Sequence, residues 1–337
     1  MKVLVTGASG MLGRATAVAL ASRGDEVTVL QRRASGLAEQ SSTRDERPRI
    51  REVLGDIADA EVVRSAAAGQ DGIVHLAARV GVVGTAAEFE HANVDGTLQI
   101  VAAARAEGVP RLVHVSTPSV AHAGEPLVGA DADPADPAAA IGHYARTKAR
   151  AEQIALGASD GIAVVAIRPH LVWGPGDTQL IGRIVARARA GRLALVDDGA
   201  ALIDTTYVDN AVDALLAALG RAEDDAVRGR AFVVSNGQPR TVAELLTRIC
   251  RAAGLPAPRR QVPLRVAHAG GAVAERLWAR LHLADDPPMT SFLAEQLATA
   301  HWFDQREVRA ALHWRPQIGL EEGFDRLAAW FAAETSA

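Results

Sequence analysis

The sequence predicts an α/β fold, with a doubly wound parallel sheet and a smaller C-terminal lobe. Short apolar runs typical of strands alternate with helical patterns through the first half of the 337-residue chain. These runs show little apolar–polar alternation, as expected for strands covered on both faces. From Trp173 onward the pattern is less regular and richer in Pro, Arg and Trp. With 49% hydrophobic residues, the chain is long enough for two domains or one large domain with an appended lobe.

The elements follow one another in a regular order. Strands are predicted over 2–6, 26–31, 49–54, 72–78, 112–115 and 162–167, the last one ending at Arg168-Pro169. Helices are predicted over 14–21, 59–68, 89–107 and 142–156. We expect residues 1–172 and about 203–235 to form a nucleotide-binding domain, and about 173–202 and 236–337 to form a substrate-binding lobe.

Composition excludes several classes of protein. A net charge of −4 gives no reason to expect a nucleic-acid partner. The single cysteine, Cys250, excludes an intramolecular disulfide, and its apolar helical surroundings favour a small core residue. The sequence contains no run of eighteen uninterrupted apolar residues, so we predict no membrane-spanning helix. Because the chain opens with a strand and no cleavable apolar segment, we predict a cytoplasmic protein.

One C-terminal stretch, residues 264–283, has an amphipathic character. It is moderately apolar and is interrupted by Arg265, Glu275, Arg276 and Arg280. Two interpretations stay open: packing on the lobe, or peripheral contact with an apolar ligand or a membrane surface.

The first strand leads into the glycine turn Gly7-Ala8-Ser9-Gly10-Met11-Leu12-Gly13. Such a turn brings backbone N–H groups and a helix N-terminus to a pyrophosphate. Gly7 makes the turn, Gly10 leaves room for the phosphate, and Gly13 lets helix and strand pack. The turn lies between an apolar strand and an amphipathic helix, which is the context of a dinucleotide site. The predicted cofactor contacts here are Gly7, Ser9, Gly10, Met11, Leu12 and Gly13.

The second strand ends at Gln31-Arg32-Arg33, without the carboxylate that binds the adenosine 2′-hydroxyl of NAD. Two guanidinium groups there favour a 2′-phosphate, and we therefore predict NADP(H) in preference to NAD(H). The alternative is a solvated arginine pair. Asp56, next to Ile57 after the third strand, is placed to accept from the adenine amine or to cap the next helix.

A candidate acid–base pair follows further along the chain. Tyr144 and Lys148 are four residues apart on a predicted helix, so their side chains share one face. A phenol with an ordinary pKa of about 10 needs help to exchange protons at neutral pH, and a nearby ammonium lowers that pKa. Ser116, Thr117 and Ser119, at the end of the fifth strand, supply hydroxyls to hold a substrate oxygen.

The glycine turn, the hydroxyl-rich strand end and Y-x-x-x-K together resemble the extended short-chain dehydrogenase/reductase superfamily, whose nucleotide-binding fold is the Rossmann fold. Further motifs resemble its 3β-hydroxysteroid dehydrogenase-like branch, and the set is most similar to the 2-alkyl-3-oxoalkanoate reductases of bacterial long-chain olefin biosynthesis. These motifs are 93–97, 116–120, 168–177, 204–211, 235–237, 287–290, 292–297 and 301–303.

The resemblance implies reversible, NADPH-linked reduction of a 2-alkyl-3-oxoalkanoate, a step of lipid metabolism. Tyr144 would be the acid–base group, Thr117 would polarise the substrate oxygen, and Lys148 would lower the tyrosine pKa and hold the ribose. It also implies a large apolar substrate and, for assembly, a homodimer or a complex with pathway enzymes. The further implied cofactor contacts are Leu76, Ala77, Ala78, Ser116, Pro169 and Val172, and the substrate contacts are Val82, Thr117, Ser119 and Trp173. Asn93 is interpreted as a helix-fixing or water-holding residue.

Three alternatives remain. A 3β-hydroxysteroid or sterol-4α-carboxylate 3-dehydrogenase would share the apolar substrate. A nucleotide-sugar epimerase is disfavoured by the apolar C-terminal lobe. A non-catalytic NADP-sensing regulator is disfavoured by the intact Thr117, Tyr144 and Lys148. The ten histidines show no metal-ligand spacing, so no metal is predicted.

Overall fold

The computed structural model describes residues 1–40, 50–81, 83–122, 124–281, 287 and 289–336. Its strands are β1 (Lys2–Thr6), β2 (Glu26–Gln31), β3 (Ile50–Leu54), β4 (Gly72–His75), β5 (Arg111–Val115), β6 (Leu127–Ala130), β7 (Ala163–Pro169), β8 (Val172–Trp173), β9 (Ala194–Val196), β10 (Leu202–Ile203), β11 (Thr206–Tyr207), β12 (Ala231–Val234), β13 (Arg240–Thr241), β14 (Arg260–Val262) and β15 (His301–Phe303).

The helices are α1 (Met11–Ser22), α2 (Leu37–Gln40), α3 (Ala60–Ala67), α4 (Ala86–Phe89), α5 (Gly96–Ala106), α6 (Gly142–Leu156), α7 (Ile181–Arg189), α8 (Val208–Arg221), α9 (Val242–Ala252), α10 (Leu264–Leu281), α11 (Ser291–Ala298), α12 (Arg306–Leu312) and α13 (Leu320–Ser336). A π-helical segment, Glu90–Asp95, joins α4 to α5, and a short 3₁₀ helix spans Pro118–Val120.

Seven parallel strands form the central sheet in the order β12-β7-β5-β4-β1-β2-β3. The order reverses beside β1, which pairs with β2 on one side and β4 on the other. In open sheets of this kind the ligand crevice lies at the carboxyl ends of the strands beside that reversal. The predicted doubly wound parallel sheet is confirmed.

Helices cover both faces of this sheet. Side chains of β1 alternate between two separate cores: Val3 and Val5 pack with residues of α1 and α8, whereas Leu4 packs with residues of α3 and α5. All three side chains are fully buried. This two-sided burial explains why the strands read as continuous apolar runs in the sequence.

The C-terminal part has its own core and small sheets. A four-stranded sheet has the order β13-β10-β15-β6, and the Trp173 ring stacks on Phe324 and meets Tyr207 edge to face.

Among the described residues, none of the helices combines the length and the apolar composition that a bilayer span requires. The predicted domain limits stay a prediction.

Several predicted elements differ from the structure. The strand predicted over 72–78 ends at His75. β7 does not end before Arg168 but continues through Pro169, in register with Val234 of β12. The strand can include this arginine because Glu152 neutralises it inside the core. The helix predicted over 89–107 is divided, because residues 90–95 form a π-helical turn between α4 and α5. Such turns insert one extra residue and often occur at functional sites.

The glycine turn is held by a close contact between β1 and α1. Gly7 has a φ of +76°, and Gly10 N–H donates to its carbonyl at 3.1 Å. A Cβ on Gly13 would collide with the Gly7 carbonyl group and lie 2.8 Å from its carbon. At Gly10 the nearest atom to an added Cβ is 3.6 Å away. Gly13 is therefore a packing glycine, and Gly10 leaves open space.

We expect Gly13→Ala to destabilise the fold and Gly10→Ala to leave its stability nearly unchanged. Forcing a methyl group against the Gly7 carbonyl must separate strand and helix, at a cost of about 1–3 kcal/mol. Urea unfolding of both variants, followed by circular dichroism, measures the difference. Equal stability of the two variants would contradict the packing role of Gly13.

Candidate active site

A long cavity of about 660 Å³ runs along the carboxyl ends of the sheet strands. The glycine turn lies at its centre, where α1 begins at Met11 with its N-terminus towards the cavity. The predicted cofactor residues that line it are Gly7, Ser9, Gly10, Met11, Leu12, Gly13, Arg32, Asp56, Ile57, Leu76, Ala77, Ala78, Ser116, Tyr144, Lys148, Pro169 and Val172. Arg33 is exposed and does not line it.

The residues at the end of β2 and directly after it line one end of this cavity. Arg32 lines it, and the turn behind Arg32 is fixed by the Glu52 carboxylate. This carboxylate accepts hydrogen bonds from the Ser35 amide and the Gln31 side-chain amide, both at 3.2 Å. The Glu52 carboxylate on β3 thus accepts hydrogen bonds from internal donors. The Arg32 side chain lies at the cavity wall.

Asp56 lies beside this end. Its Oδ1 accepts from the Ala58 amide at 2.9 Å and lies 3.3 Å from His91 Nε2. The residue that caps α3 is Asp59, which accepts from the Glu61 and Val62 amides. The capping role considered for Asp56 is therefore wrong, and its carboxylate belongs to the cavity wall together with His91.

At the other end the structure brings together Thr117, Tyr144 and Lys148. Thr117 follows β5, and its hydroxyl lies 3.1 Å from the Ser119 hydroxyl. Tyr144 and Lys148 lie on α6, as the spacing predicts. The Lys148 ammonium donates to the Val115 carbonyl at 2.6 Å, which ties α6 to the end of β5.

Burial sets the protonation of this group. Desolvation raises the pKa of Tyr144 to about 12, and a hydrogen bond with Thr117 partly opposes that rise. Desolvation lowers the pKa of Lys148 to about 8, against the attraction of Glu152. The expected lowering of the tyrosine pKa by Lys148 is not found, since burial dominates and the ammonium is engaged with Val115. At neutral pH the phenol keeps its proton and the amine is mostly charged.

Two buried contacts position α6. Arg168 of β7 donates to the Glu152 carboxylate with Nε at 2.9 Å and Nη2 at 2.5 Å, and both side chains are 1% exposed. Asn93, in the π-helical turn, donates to the Thr147 hydroxyl at 2.9 Å and accepts from the Arg79 amide at 2.7 Å. Asn93 thus connects α6 to the loop after β4, in agreement with a helix-fixing role.

A second cavity, of about 820 Å³, meets the first one at the catalytic candidates. Thr117, Tyr144 and Pro169 line both cavities. The second cavity extends towards the C-terminal part and is lined mainly by apolar and aromatic side chains. Its described walls include Phe89, Ser119, His122, Leu127, Ile141, His143, His170, Leu171, Glu275, Trp278, Phe292, Gln296, His301 and Phe303.

The predicted substrate contacts have different outcomes. Thr117 and Ser119 lie at the second cavity, whereas Val82 is outside the described residues. Trp173 is placed elsewhere: its ring is 2% exposed, and its Nε1 donates to the Thr205 hydroxyl at 2.9 Å. Trp173 is therefore a core residue, because Phe324 and Tyr207 enclose the ring away from both cavities.

Sequence reasoning missed several wall residues. Leu171 lines both cavities in a left-handed conformation with φ +44°, which is rare for a branched side chain. No sequence signal marks this conformation. Glu275 and Trp278 had a signal, because they lie one turn apart on the inner face of the amphipathic stretch that became α10.

Three histidines form a cluster beside the second cavity. The ring centre of His301 lies 6.0 Å from that of His122 and 6.1 Å from that of His170. Burial lowers the pKa of His170 to about 3 and that of His301 to about 4, so both rings are neutral. Within the described part of the chain, no three metal-ligating side chains come together as a metal site.

Comparison with known proteins agrees with this geometry. The model of the NAD dependent epimerase/dehydratase family matches residues 3–235. The 2-alkyl-3-oxoalkanoate reductase of Stenotrophomonas maltophilia is 43% identical over 337 residues, covering 99% of this chain and 100% of the relative. A 3-beta-hydroxysteroid dehydrogenase of Mycolicibacterium neoaurum is 29% identical over 335 residues, covering 95% of this chain and 88% of the relative.

Solved structures show the same fold. A dTDP-glucose 4,6-dehydratase from Streptomyces venezuelae with NAD bound is 25% identical, with a TM-score of 0.76 over 100% of this chain and 98% of the other. MoeE5 in complex with UDP-glucose and NAD is 22% identical, with a TM-score of 0.75 over 99% of this chain and 100% of the other. These likenesses agree with the Rossmann-like parallel sheet.

We expect Arg168→Met to unfold at markedly lower urea concentration than the wild type, because it leaves the Glu152 carboxylate buried without a partner. Removing one member of a buried ion pair costs about 3–5 kcal/mol. The double variant Arg168→Met/Glu152→Met should recover most of that loss, since no isolated charge remains. If the double variant is as unstable as the single one, lost packing rather than the unpaired charge is responsible.

Proposed function

This chain belongs to the NAD dependent epimerase/dehydratase family of extended short-chain dehydrogenases/reductases, and we propose that it reduces 2-alkyl-3-oxoalkanoates with NADPH. It is an NAD(P)-dependent oxidoreductase, and its relatives include reductases of that name. The observation that carries the proposal is the meeting of two cavities at Thr117 and Tyr144. One cavity has the glycine turn of a dinucleotide site, and the other has the size and apolar walls for a large substrate.

The first cavity fits a nicotinamide cofactor. The glycine turn leaves space at Gly10, the N-terminus of α1 favours a pyrophosphate, and Lys148 lies where the ribose would be held. When bound, the nicotinamide would supply the hydride for the ketone carbon. Leu76, Ala77 and Ala78 would form the floor beneath the cofactor, and Pro169 and Val172 would line the nicotinamide end.

The protein's own residues would handle the substrate oxygen. The raised pKa of Tyr144 keeps the phenol protonated at neutral pH, so it is ready to donate a proton to the developing alkoxide. The Thr117 hydroxyl would polarise the same oxygen by a hydrogen bond. Lys148, still largely charged near pH 7, would stabilise the phenolate that remains after the transfer.

The second cavity favours this substrate class over a nucleotide sugar. Among its described wall residues there is neither a lysine nor an arginine, and its acidic members are Glu88 and Glu275. The two phosphates of a nucleotide sugar would lack cationic partners there. A long alkyl chain suits the apolar walls, and imidazole N–H groups could hold one carboxylate. A 3β-hydroxysteroid or a sterol-4α-carboxylate would suit the same walls. A dehydrogenase of one of these substrates is therefore the second candidate function.

The test is steady-state turnover of the purified protein in the oxidative direction. We expect NADP⁺-linked oxidation of a 2-alkyl-3-hydroxyalkanoate and little activity on a 3β-hydroxysteroid offered in parallel. Tyr144→Phe should lower kcat by about 10²–10⁴-fold, because the acid–base group is lost, while cofactor binding, followed by NADPH fluorescence, is retained.

Either of two outcomes would contradict this assignment. Turnover of the steroid alone would place the enzyme in the sterol branch. Near-normal turnover by Tyr144→Phe with the cofactor bound would rule out the acid–base role.

Cofactor preference gives a separate prediction. Arg32→Ala should raise KM for NADPH by roughly ten- to hundredfold, because a charge-assisted hydrogen bond to the 2′-phosphate is lost, and should change KM for NADH little. Arg33→Ala is the matched control, since Arg33 does not line the cavity. Full NADPH affinity in the Arg32→Ala/Arg33→Ala double variant would overturn the preference for NADP(H).

The cytoplasmic location and a homodimer or pathway complex stay predictions. In a dimer, we expect the contact to use the helices predicted over 89–107 and 142–156.

A further inference from the structure

The outer face of α10 carries an apolar stripe. Val266, Val273, Leu277 and Leu281 are 59%, 62%, 46% and 56% exposed. At 100° per residue they lie on one side of the helix, together with the exposed Gly270. Four large apolar side chains aligned on one exposed helix face are unusual for a surface helix, whose outward face is normally polar.

Three arginines flank one side of this stripe. Arg265, Arg276 and Arg280 are exposed, and within the described residues none of them has a hydrogen bond or an ion pair with a carboxylate. The one glutamate of α10, Glu275, points the other way and accepts from the Ser291 amide at 3.0 Å. The exposed face therefore combines apolar side chains with positive charge that no carboxylate of the described residues pairs, on a protein whose net charge is −4.

The inner face of α10 is fixed in place. Gly271 packs so closely on α11 that an added Cβ would lie 2.5 Å from the Ser291 nitrogen. Glu275 and Trp278 line the second cavity, so α10 forms part of its roof. Packing on the lobe is thus accomplished by one face of the helix, and the opposite stripe is left without a partner within the described chain.

We propose that α10 docks this protein on an anionic lipid surface, with the stripe in the acyl-chain boundary and the arginines at the phosphate headgroups. Helices that lie in a membrane interface combine an apolar face with flanking cations. A second copy of the chain fits less well, because pairing two such faces would bring six arginines together, and the exposed face of α10 itself carries no carboxylate. This docking would place the α10 wall of the second cavity against the lipid bilayer, in which long-chain molecules dissolve. It goes beyond the proposed function and does not depend on the identity of the substrate.

The experiment is flotation of the purified full-length chain with vesicles. We expect binding to an equal mixture of phosphatidylcholine and phosphatidylglycerol and much weaker binding to phosphatidylcholine alone. Arg276→Gln/Arg280→Gln should weaken binding to the anionic vesicles on the order of fivefold for each arginine. Val273→Glu/Leu277→Glu should weaken it by roughly tenfold or more, since two apolar side chains are lost from the interface.

Val18→Glu is the matched control, because Val18 is a 44% exposed apolar residue on α1, and its vesicle binding should equal that of the wild type. Unchanged thermal unfolding of all variants shows that their folds are intact. Equal binding to both vesicle types, or wild-type binding by Val273→Glu/Leu277→Glu, would overturn the proposal. A wild-type dimer in sedimentation velocity that Val273→Glu/Leu277→Glu converts to monomer, without vesicle binding, would instead assign the stripe to a second copy.

Discussion

The buried ion pair between Arg168 and Glu152 is the contact on which the candidate site depends. It joins β7, a strand inside the sheet, to α6, the helix that carries Tyr144 and Lys148. Two desolvated charges are stable only if their geometry is maintained, so the pair fixes the position of α6 along the strand. Glu152 also lies one turn from Lys148 and opposes the loss of its charge. The buried ion pair therefore also places the carboxylate that helps to keep Lys148 protonated.

The other contacts of α6 serve the same end. Lys148 reaches the Val115 carbonyl at the end of β5, which sets the distance between the helix and the strand end that carries Thr117. Asn93 ties Thr147 to the loop that runs past both cavities. The helix is therefore held from a strand, a strand end and a π-helical turn. Each of these comes from a different part of the chain, so the tyrosine is positioned by long-range packing.

Much of this could be predicted from the sequence, for identifiable reasons. Strands buried on both faces leave continuous apolar runs, and the glycine turn needs small residues at fixed spacing, so the sheet and the first cavity were predictable. The end of β7 was not, because the partner that neutralises Arg168 lies sixteen residues away in sequence. Trp173 shows the same limit: the family resemblance implies a substrate contact, but the burial of this ring depends on Phe324 near the other end of the chain.

The pKa of Tyr144 shows most clearly what sequence spacing leaves out. Four residues between a tyrosine and a lysine on a helix indicate that they share a face, and suggest that the ammonium lowers the phenol pKa. Burial acts on both groups at once, raising the pKa of Tyr144 and lowering that of Lys148. Both shifts favour the neutral form, as desolvation requires. A neutral phenol beside an amine that is still mostly charged is the protonation state that the proposed reduction requires, because Tyr144 would donate its proton to the ketone oxygen.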